Sequence, residues 1–233
     1  MNSWTNRWLV WTGPLFAVIF VGALFALEGN SPGEKASANE VVSYFESRQG
    51  RTLTEVFLTP LLCALLLLFT SQVRNMVRER RLAAGVGPTV MVAGSVLWAS
   101  GMLLGSTTQL AVASASHHNQ DQVAQTMNVL ANDVWLPFIA GIAVTLLGAG
   151  LTVLQSGILP RWLGWVALVA GIVSLAGPGG FVGFFVGPLW LLVAGVMLAR
   201  APRVVRLDDQ EVPSTTTAPG ATTQAGIKPG ART

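Results

Sequence analysis

Val56 to Val73 reads VFLTPLLCALLLLFTSQV, eighteen residues without a charge, bounded by Glu55 on one side and Arg74 on the other. A helix crossing the hydrocarbon core of a bilayer needs about 20 such residues. Four further stretches carry no charge: Leu9 to Leu27, Leu82 to Gln120, Val134 to Pro160 and Trp162 to Ala199. No soluble domain of 233 residues needs five of them. The chain therefore reads as an all-α, multi-pass integral membrane bundle.

Composition agrees. The chain is 52% hydrophobic and only 11% charged, against roughly 25% charged for soluble domains. Six spans are expected, at about 8–27, 54–73, 88–111, 133–155, 162–177 and 181–200. The last uncharged stretch is divided in two at Gly177-Pro178-Gly179-Gly180, a turn that a continuous helix tolerates badly. One kinked span over 162–200 is the alternative. Residues 1–206 form the transmembrane domain, and 207–233, rich in Thr, Pro, Ala and Gly, form a disordered cytoplasmic tail.

Arginine placement orients the bundle. Arg7, the cluster Arg74, Arg78, Arg80 and Arg81, then Arg161, and finally Arg200, Arg203 and Arg206 all fall on one side of a six-helix path. The other side carries Glu28, Glu34, Glu40, Glu46, Glu55, Asp121 and Asp133 against Lys35, Arg48 and Arg51. Both termini are expected in the cytoplasm, with the acidic face outside the cell membrane. The segment after Arg7 is long for a signal peptide and lacks a cleavage pattern, so it is expected to stay as the first helix. Twelve Arg against two Lys, with abundant Ala, Gly and Val, suit a bacterial source of high GC content. A net charge of +3 gives no reason to expect nucleic acid.

Two outer loops have structure of their own. Ser37-Ala38-Asn39-Glu40 is a capping box, and Val41, Val42, Tyr44 and Phe45 follow as an apolar stripe. A short amphipathic helix at about 37–48, resting on the outer membrane surface, is expected. Val123, Met127 and Leu130 stand at helical spacing before the fourth span, which Asp133 is placed to cap.

Helical angles sort the polar residues inside the spans. Glu55, Thr59, Cys63 and Thr70 share one face of the second helix. Ser95, Trp98, Met102, Ser106 and Gln109 share one face of the third, and Gly141, Thr145, Gly148 and Thr152 one face of the fourth. Small and hydroxyl-bearing residues serve close helix packing, which is the plain reading. The functional reading is a polar cavity opening outward, lined by Glu55, Thr59, Ser106, Gln109, Thr145 and Thr152. Glycine faces at Gly101-x-x-x-Gly105 and Gly183-x-x-x-Gly187 leave a homodimer open.

Catalytic and metal motifs are sparse. An outer acidic and histidine group comprises Glu28, Asp133, His117, His118 and Asp121. His117 and Asp121 are four apart, but a metal site needs three or four ligands and no others are at hand. No metal or cofactor is expected. The lone Cys63 sits mid-span, and no Ser-His-Asp, CxxC, HExxH or phosphate-loop pattern occurs.

Ser156-Gly157-Ile158-Leu159-Pro160-Arg161-Trp162-Leu163-Gly164, entering an Ala- and Val-rich helix, resembles a loop of small bacterial multi-pass proteins of the DUF4386 type. Related actinobacterial proteins also look similar in Gly13-Pro14-Leu15-Phe16 and in the segment from Ala36 to Phe45. The resemblance implies six or seven membrane helices and brings no catalytic residue. Two functional classes lead, and an intramembrane enzyme, which a metal at His117 and His118 would support, is a third. The first is a non-enzymatic membrane component that binds lipid or a partner membrane protein, with the stripe at Val41, Tyr44 and Phe45 as a docking surface. The second is a transporter or channel for a small solute or ion, using the polar faces of the second to fourth helices.

Overall fold

In lipid every backbone N–H and C=O needs an internal partner, and helices supply one without an exposed edge. The computed structural model of the chain describes residues 5–27, 31–79, 82, 85–118, 120–176 and 179–200. Among these it has nine helices and no strand. They are α1 Thr5–Val10, α2 Thr12–Leu27, α3 Ala38–Ser47, α4 Gln49–Glu79, α5 Gly87–His117, α6 Asp121–Asp133, α7 Trp135–Ser156, α8 Arg161–Ser174 and α9 Gly180–Arg200. Glu28, Arg80, Arg81 and the segment 201–233, with the expected tail, lie outside the described residues.

Five helices are long and apolar enough to cross a membrane: Trp8–Ala26, Gln49–Glu79, Gly87–His117, Asp121–Ser156 and Gly180–Arg200. The protein is a membrane-embedded helical bundle. The expected fifth span is shorter than read from sequence. α8 has 14 residues, about 21 Å at 1.5 Å each, against a core of about 30 Å. It is nevertheless a separate helix and not the first half of a kinked one. Ser174, at its end, meets Gly183 near the start of α9. Trp190, further along α9, donates from Nε1 to the carbonyl of Leu163 near the start of α8, at 3.0 Å. Those two contacts require an antiparallel hairpin. The connection from α7 turns at Gly157, whose φ of 63° is the left-handed helix-ending conformation that glycine adopts freely.

The closest pair is α5 and α7. Gly87 faces Thr152, Met91 faces Gly148, Gly94 faces Thr145, Trp98 faces Gly141 and Gly101 faces Phe138. Glycine thus recurs every seven residues on both antiparallel helices. A seven-residue repeat keeps one seam facing its partner along a left-handed pair, and glycine lets the backbones touch. A Cβ at Gly87 would stand 2.7 Å from the Thr152 amide nitrogen, and one at Gly101 2.6 Å from Phe138 Cα. Gly164 and Gly171 repeat the device between α8 and α7. Of the glycines on the faces that left a homodimer open, Gly101 lies against α7 and Gly183 against Ser174, a Cβ at Gly187 would stand 3.2 Å from the Trp98 ring, and Gly105 has open space.

α4 joins α5 through polar rungs. Thr59 and Ser106 hydroxyls are 2.6 Å apart, Cys63 Sγ donates to the Ala99 carbonyl at 3.5 Å, and Thr70 and Ser95 are 2.9 Å apart. The apolar core lies between these rungs and α9, centred on Phe16, Leu66, Phe69, Met91, Trp98, Ile142, Leu146 and Leu191. Trp98 and Trp190 are buried, whereas Trp8, Trp11, Trp135, Trp162 and Trp165 are exposed, as an interfacial belt requires.

α4 and α5 each have 31 residues, about 46 Å, and extend beyond both expected spans. Past Gly105 the upper turns of α5 carry a small polar-sided cap built from α3 and α6. Val41 and Phe45 of α3 are buried with Val112, Ala115 and Ala124. The capping box forms as read, with Ser37 and Glu40 bonded reciprocally. Val41 and Phe45 of the α3 apolar stripe are covered by α5 and α6, while Val42 and Tyr44 are partly buried against the same cluster. Three amides of α6 hold the preceding loop. Gln125 donates to the Ala36 carbonyl at 3.1 Å, Asn128 to Pro32 and Gly33 at 3.3 and 3.2 Å, and Asn132 to Pro32 at 3.3 Å. Asp133 is the last residue of α6, and Val134, at φ −68° and ψ −8°, links α6 to α7 with no side-chain cap. The expected cap at Asp133 is therefore absent; one near-helical residue makes it unnecessary.

The helix directions give the bundle two unlike ends. Arg74, Arg78, Arg161 and Arg200 lie at one end, while Glu34, Glu40, Glu46, Asp121 and Asp133 lie at the other with Lys35, Arg48 and Arg51. Arg48 stacks 4.8 Å over the Tyr44 ring.

Candidate functional site

Between the acidic-end halves of α2, α4, α5, α7 and α9 the helices diverge around a half-open cavity of about 440 Å³. Its two walls differ in chemistry. One is aromatic: Phe20 of α2, Phe138 and Trp135 of α7, and Phe181, Phe184 and Phe185 of α9. The rings touch one another. Phe20 is 5.7 Å from Phe184 and 6.4 Å from Phe138, and Phe138 is 5.9 Å from Phe184. The opposite wall is polar: Glu55 and Thr59 of α4, with Ser106 and Gln109 of α5.

Each wall follows from local sequence. Glu55 and Thr59 are four apart on α4 and so share a face, as do Ser106 and Gln109 three apart on α5. Thr59 and Ser106 are almost fully buried, and Glu55 and Gln109 are half-buried. Thr59 Oγ1 donates to the Glu55 carbonyl at 2.9 Å while lying 2.6 Å from Ser106 Oγ. Gly105 opens the space between the walls: a Cβ there would meet only Val134 Cγ1, at 4.0 Å. Gly101, one turn deeper, also lines the cavity but is pressed against the α7 backbone.

Below the cavity the bundle is closed by rings. Trp98 lies 5.3 Å from Phe16 and 6.2 Å from Phe138, edge to face in both cases. Its Nε1 is buried without a hydrogen-bond partner among the described residues. Further down, the Thr70 and Ser95 hydroxyls lie 2.9 Å apart, each also within hydrogen-bond distance of a carbonyl of its own helix, Leu66 at 3.0 Å and Val92 at 2.7 Å.

Of the six residues read as cavity-lining, four come together: Glu55, Thr59, Ser106 and Gln109. Thr145 and Thr152 do not. Both are buried against α5 glycines and donate to their own helix, at Gly141 (2.7 Å) and Gly148 (2.6 Å). Their polarity is consumed by the backbone four residues back. No described member of the outer acidic and histidine group lines the cavity with the first four, although the His117 and His118 rings are 6.1 Å apart, edge to face. His117, His118, Asp121 and Asp133 are exposed, and Glu28 lies outside the described residues. His118 Nδ1 is 2.7 Å from the Ser114 carbonyl, and Asp133 borders a surface groove on α6 with Gln125, Thr126, Val129 and Leu130. Among the described residues no three His, Cys, Asp or Glu side chains gather where they would hold a metal ion.

Sequence reasoning missed the aromatic wall. Its signal was diffuse, since Phe20, Phe138 and Phe184 lie on three helices and each is an ordinary residue of a membrane span.

No curated protein and no solved structure matches the chain. A family model, the domain of unknown function DUF4386, matches residues 11–205. That match runs from the first turn of α2 past the end of α9 and so takes in the helices that form the seam, the cap and the cavity. The chain belongs to the DUF4386 family.

Proposed function

We propose that the protein is a non-enzymatic membrane component that binds a lipid-like amphiphile in the cavity between α4, α5 and α9. One observation carries the reading: an aromatic wall and a hydrogen-bonding wall face each other across about 440 Å³ inside a membrane bundle. Sites for small molecules are concave, mostly apolar, and have a few placed polar groups. A membrane supplies amphiphiles at high local concentration. The acidic end faces the outside of a bacterial cytoplasmic membrane and both termini face the cytoplasm, in keeping with the Arg-rich end at Arg74, Arg78, Arg161 and Arg200.

The alternative, a transporter or channel, has less support. Below the polar wall Trp98 packs edge to face on Phe16 and Phe138, with Phe16 and Trp98 fully buried. Of the α3 residues read as a docking surface, Val41 is fully buried and Phe45 is 4% exposed, which favours the cavity over α3 as the binding site.

The test is native mass spectrometry of the full chain released from lipid nanodiscs. A stoichiometric adduct in the wild type, absent from Gly105→Leu, is the expected result. A bare protein in both, or an adduct unaffected by filling the cavity, rejects the reading. Ion or solute flux in proteoliposomes that is altered by Glu55→Gln and Gln109→Leu would favour the transporter instead.

A further inference from the structure

The helices around the cavity end at different heights, and the difference fixes the side from which an occupant enters, given the amphiphile-binding reading on which the inference rests. Gly180, the first residue of α9, is level with the second turn of α7: a Cβ there would stand 3.0 Å from Ile139 Cγ2 and 3.7 Å from the Trp135 ring. Phe138, beside Ile139, lies on Gly101 of α5. α9 therefore begins about level with Gly101. The other walls rise further. α5 lines the cavity from Gly101 up to Gln109, about 12 Å at 1.5 Å per residue. α4 lines it from Leu62 up to Glu55, and α2 runs on from Phe20 to Leu27, each about 10 Å. Between α2 and α7, above the start of α9, no helix among the described residues covers this height. α8 does not reach it, because it ends at Ser174, which lies against Gly183. α3 and α6 do not cover it either, since they pack on α5 and on each other.

The side chains around this gap are those of a lipid-facing surface. Phe181 is 71% exposed, Phe185 58% and Trp135 49%, yet all three also line the cavity. Lipid tails are as apolar as a leucine side chain, so exposed rings on a membrane span sit comfortably against them. The same aromatic surface thus runs without interruption from the bilayer face of α9 into the cavity, and the hydrogen-bonding wall of α4 and α5 closes the far side. At about 30 Å³ per water in the liquid, 440 Å³ holds about fifteen water-sized groups. That is room for one chain and not for two.

We infer that the cavity is a side pocket of the bilayer leaflet at the acidic end, filled by a single-chain amphiphile that enters laterally from lipid. It passes over the first turn of α9, between Leu24 of α2 and Trp135 of α7. The occupant reaches the polar wall without crossing the cap or the aqueous phase.

The test uses the full chain in phosphatidylcholine nanodiscs, in a Cys63→Ser background with Gly105→Cys as an interior thiol, since Gly105 lines the cavity and has open space. Leu58→Cys, also in the lining, is a second interior thiol. N-dodecylmaleimide, held in lipid, is compared with a sulfonated maleimide, held in water. Each rate is divided by that reagent's rate at an exposed control thiol, Phe57→Cys on the lipid face for the first and Glu46→Cys on the cap for the second. The dodecyl reagent is expected to lead at both interior thiols by at least about tenfold, less than the penalty for carrying a charge to membrane depth. Leu24→Trp, bulkier at the α2 edge of the gap, is expected to slow the dodecyl reagent at Gly105→Cys but not at Phe57→Cys. A sulfonated reagent that reacts as fast or faster overturns the lateral entry while leaving the amphiphile reading intact, and so does a Leu24→Trp variant with an unchanged rate. No reaction of either reagent at either interior thiol, with both controls reacting, overturns both.

Discussion

Replacing Gly148 with alanine probes the α5–α7 seam most sharply. The added Cβ would stand 2.7 Å from the Val90 carbonyl carbon and closer still to the Met91 amide nitrogen and Cα, whereas ordinary contacts begin at 3.4 Å. These are backbone atoms, so no rotamer change relieves them; the helices must part by at least 0.7 Å on the Val90 contact alone. Overpacking costs about 1–3 kcal/mol and occasionally more, while removing a helix-interior glycine returns up to about 1 kcal/mol. With rigid backbone on both sides the upper part of the range applies, for a net loss of about 2 kcal/mol. At about 2–4 °C per kcal/mol for a chain of this size, Tm falls by about 4–8 °C. The chain carries its own reporter, since Cys63 is the sole cysteine and is buried. A fluorogenic maleimide then reads unfolding in detergent without further engineering. Gly22→Ala is the control, because its Cβ meets nothing within 4 Å. A Gly148→Ala variant as stable as Gly22→Ala would refute the seam.

Two leucine substitutions one turn apart should diverge: Gly105→Leu keeps the wild-type Tm, having open space, while Gly101→Leu loses several degrees against Phe138, as thermal scans would reveal. Phe45→Ala should cost about 3–5 kcal/mol and act locally, raising hydrogen exchange in 36–47 and 121–133 but not in 141–153; uniform exchange in all three would contradict a separate cap. In a Cys63→Ser background, a cysteine at Glu46 should react with an impermeant maleimide on whole cells and one at Arg78 only after lysis, with the reverse pattern inverting the orientation. The Ser37 backbone and hydroxyl bonds hold the Glu40 carboxyl below its ordinary pKa of 4.5. Its stabilising contribution is present above the unfolded value and lost as pH falls through the lower folded one, so exchange protection of α3 should drop below pH 4.5 in wild type and less so in Glu40→Gln.

The membrane bundle was legible because a charge-free run of this length has few other uses. Helix ends were not. Gln49 to Thr54 and Ala111 to His117 are polar or small, so they look like loop, yet they continue α4 and α5 past the expected spans and bury Thr52, Val112 and Ala115 in doing so. Half of the cavity was legible for a physical reason: a polar face on an apolar helix turns inward. The same reasoning brought in Thr145 and Thr152, whose hydroxyls are spent on their own helix. The seven-residue glycine repeat is present in Gly87, Gly94 and Gly101, and again in Gly141 and Gly148, but glycine is common in membrane helices and does not by itself say which helix it meets. The aromatic wall needed three dimensions, because a phenylalanine facing lipid and one facing a cavity have the same sequence signal.

The amphiphile-filled cavity is tested most directly by an experimental density map of the full chain in nanodiscs. The account predicts one elongated feature between Ser106 and Phe184, with its head near Glu55 and its far end over the Trp98 ring, and no such feature in Gly105→Leu. Phe138 and Phe184 closed directly onto Thr59 and Ser106, with no space between the walls, would contradict it.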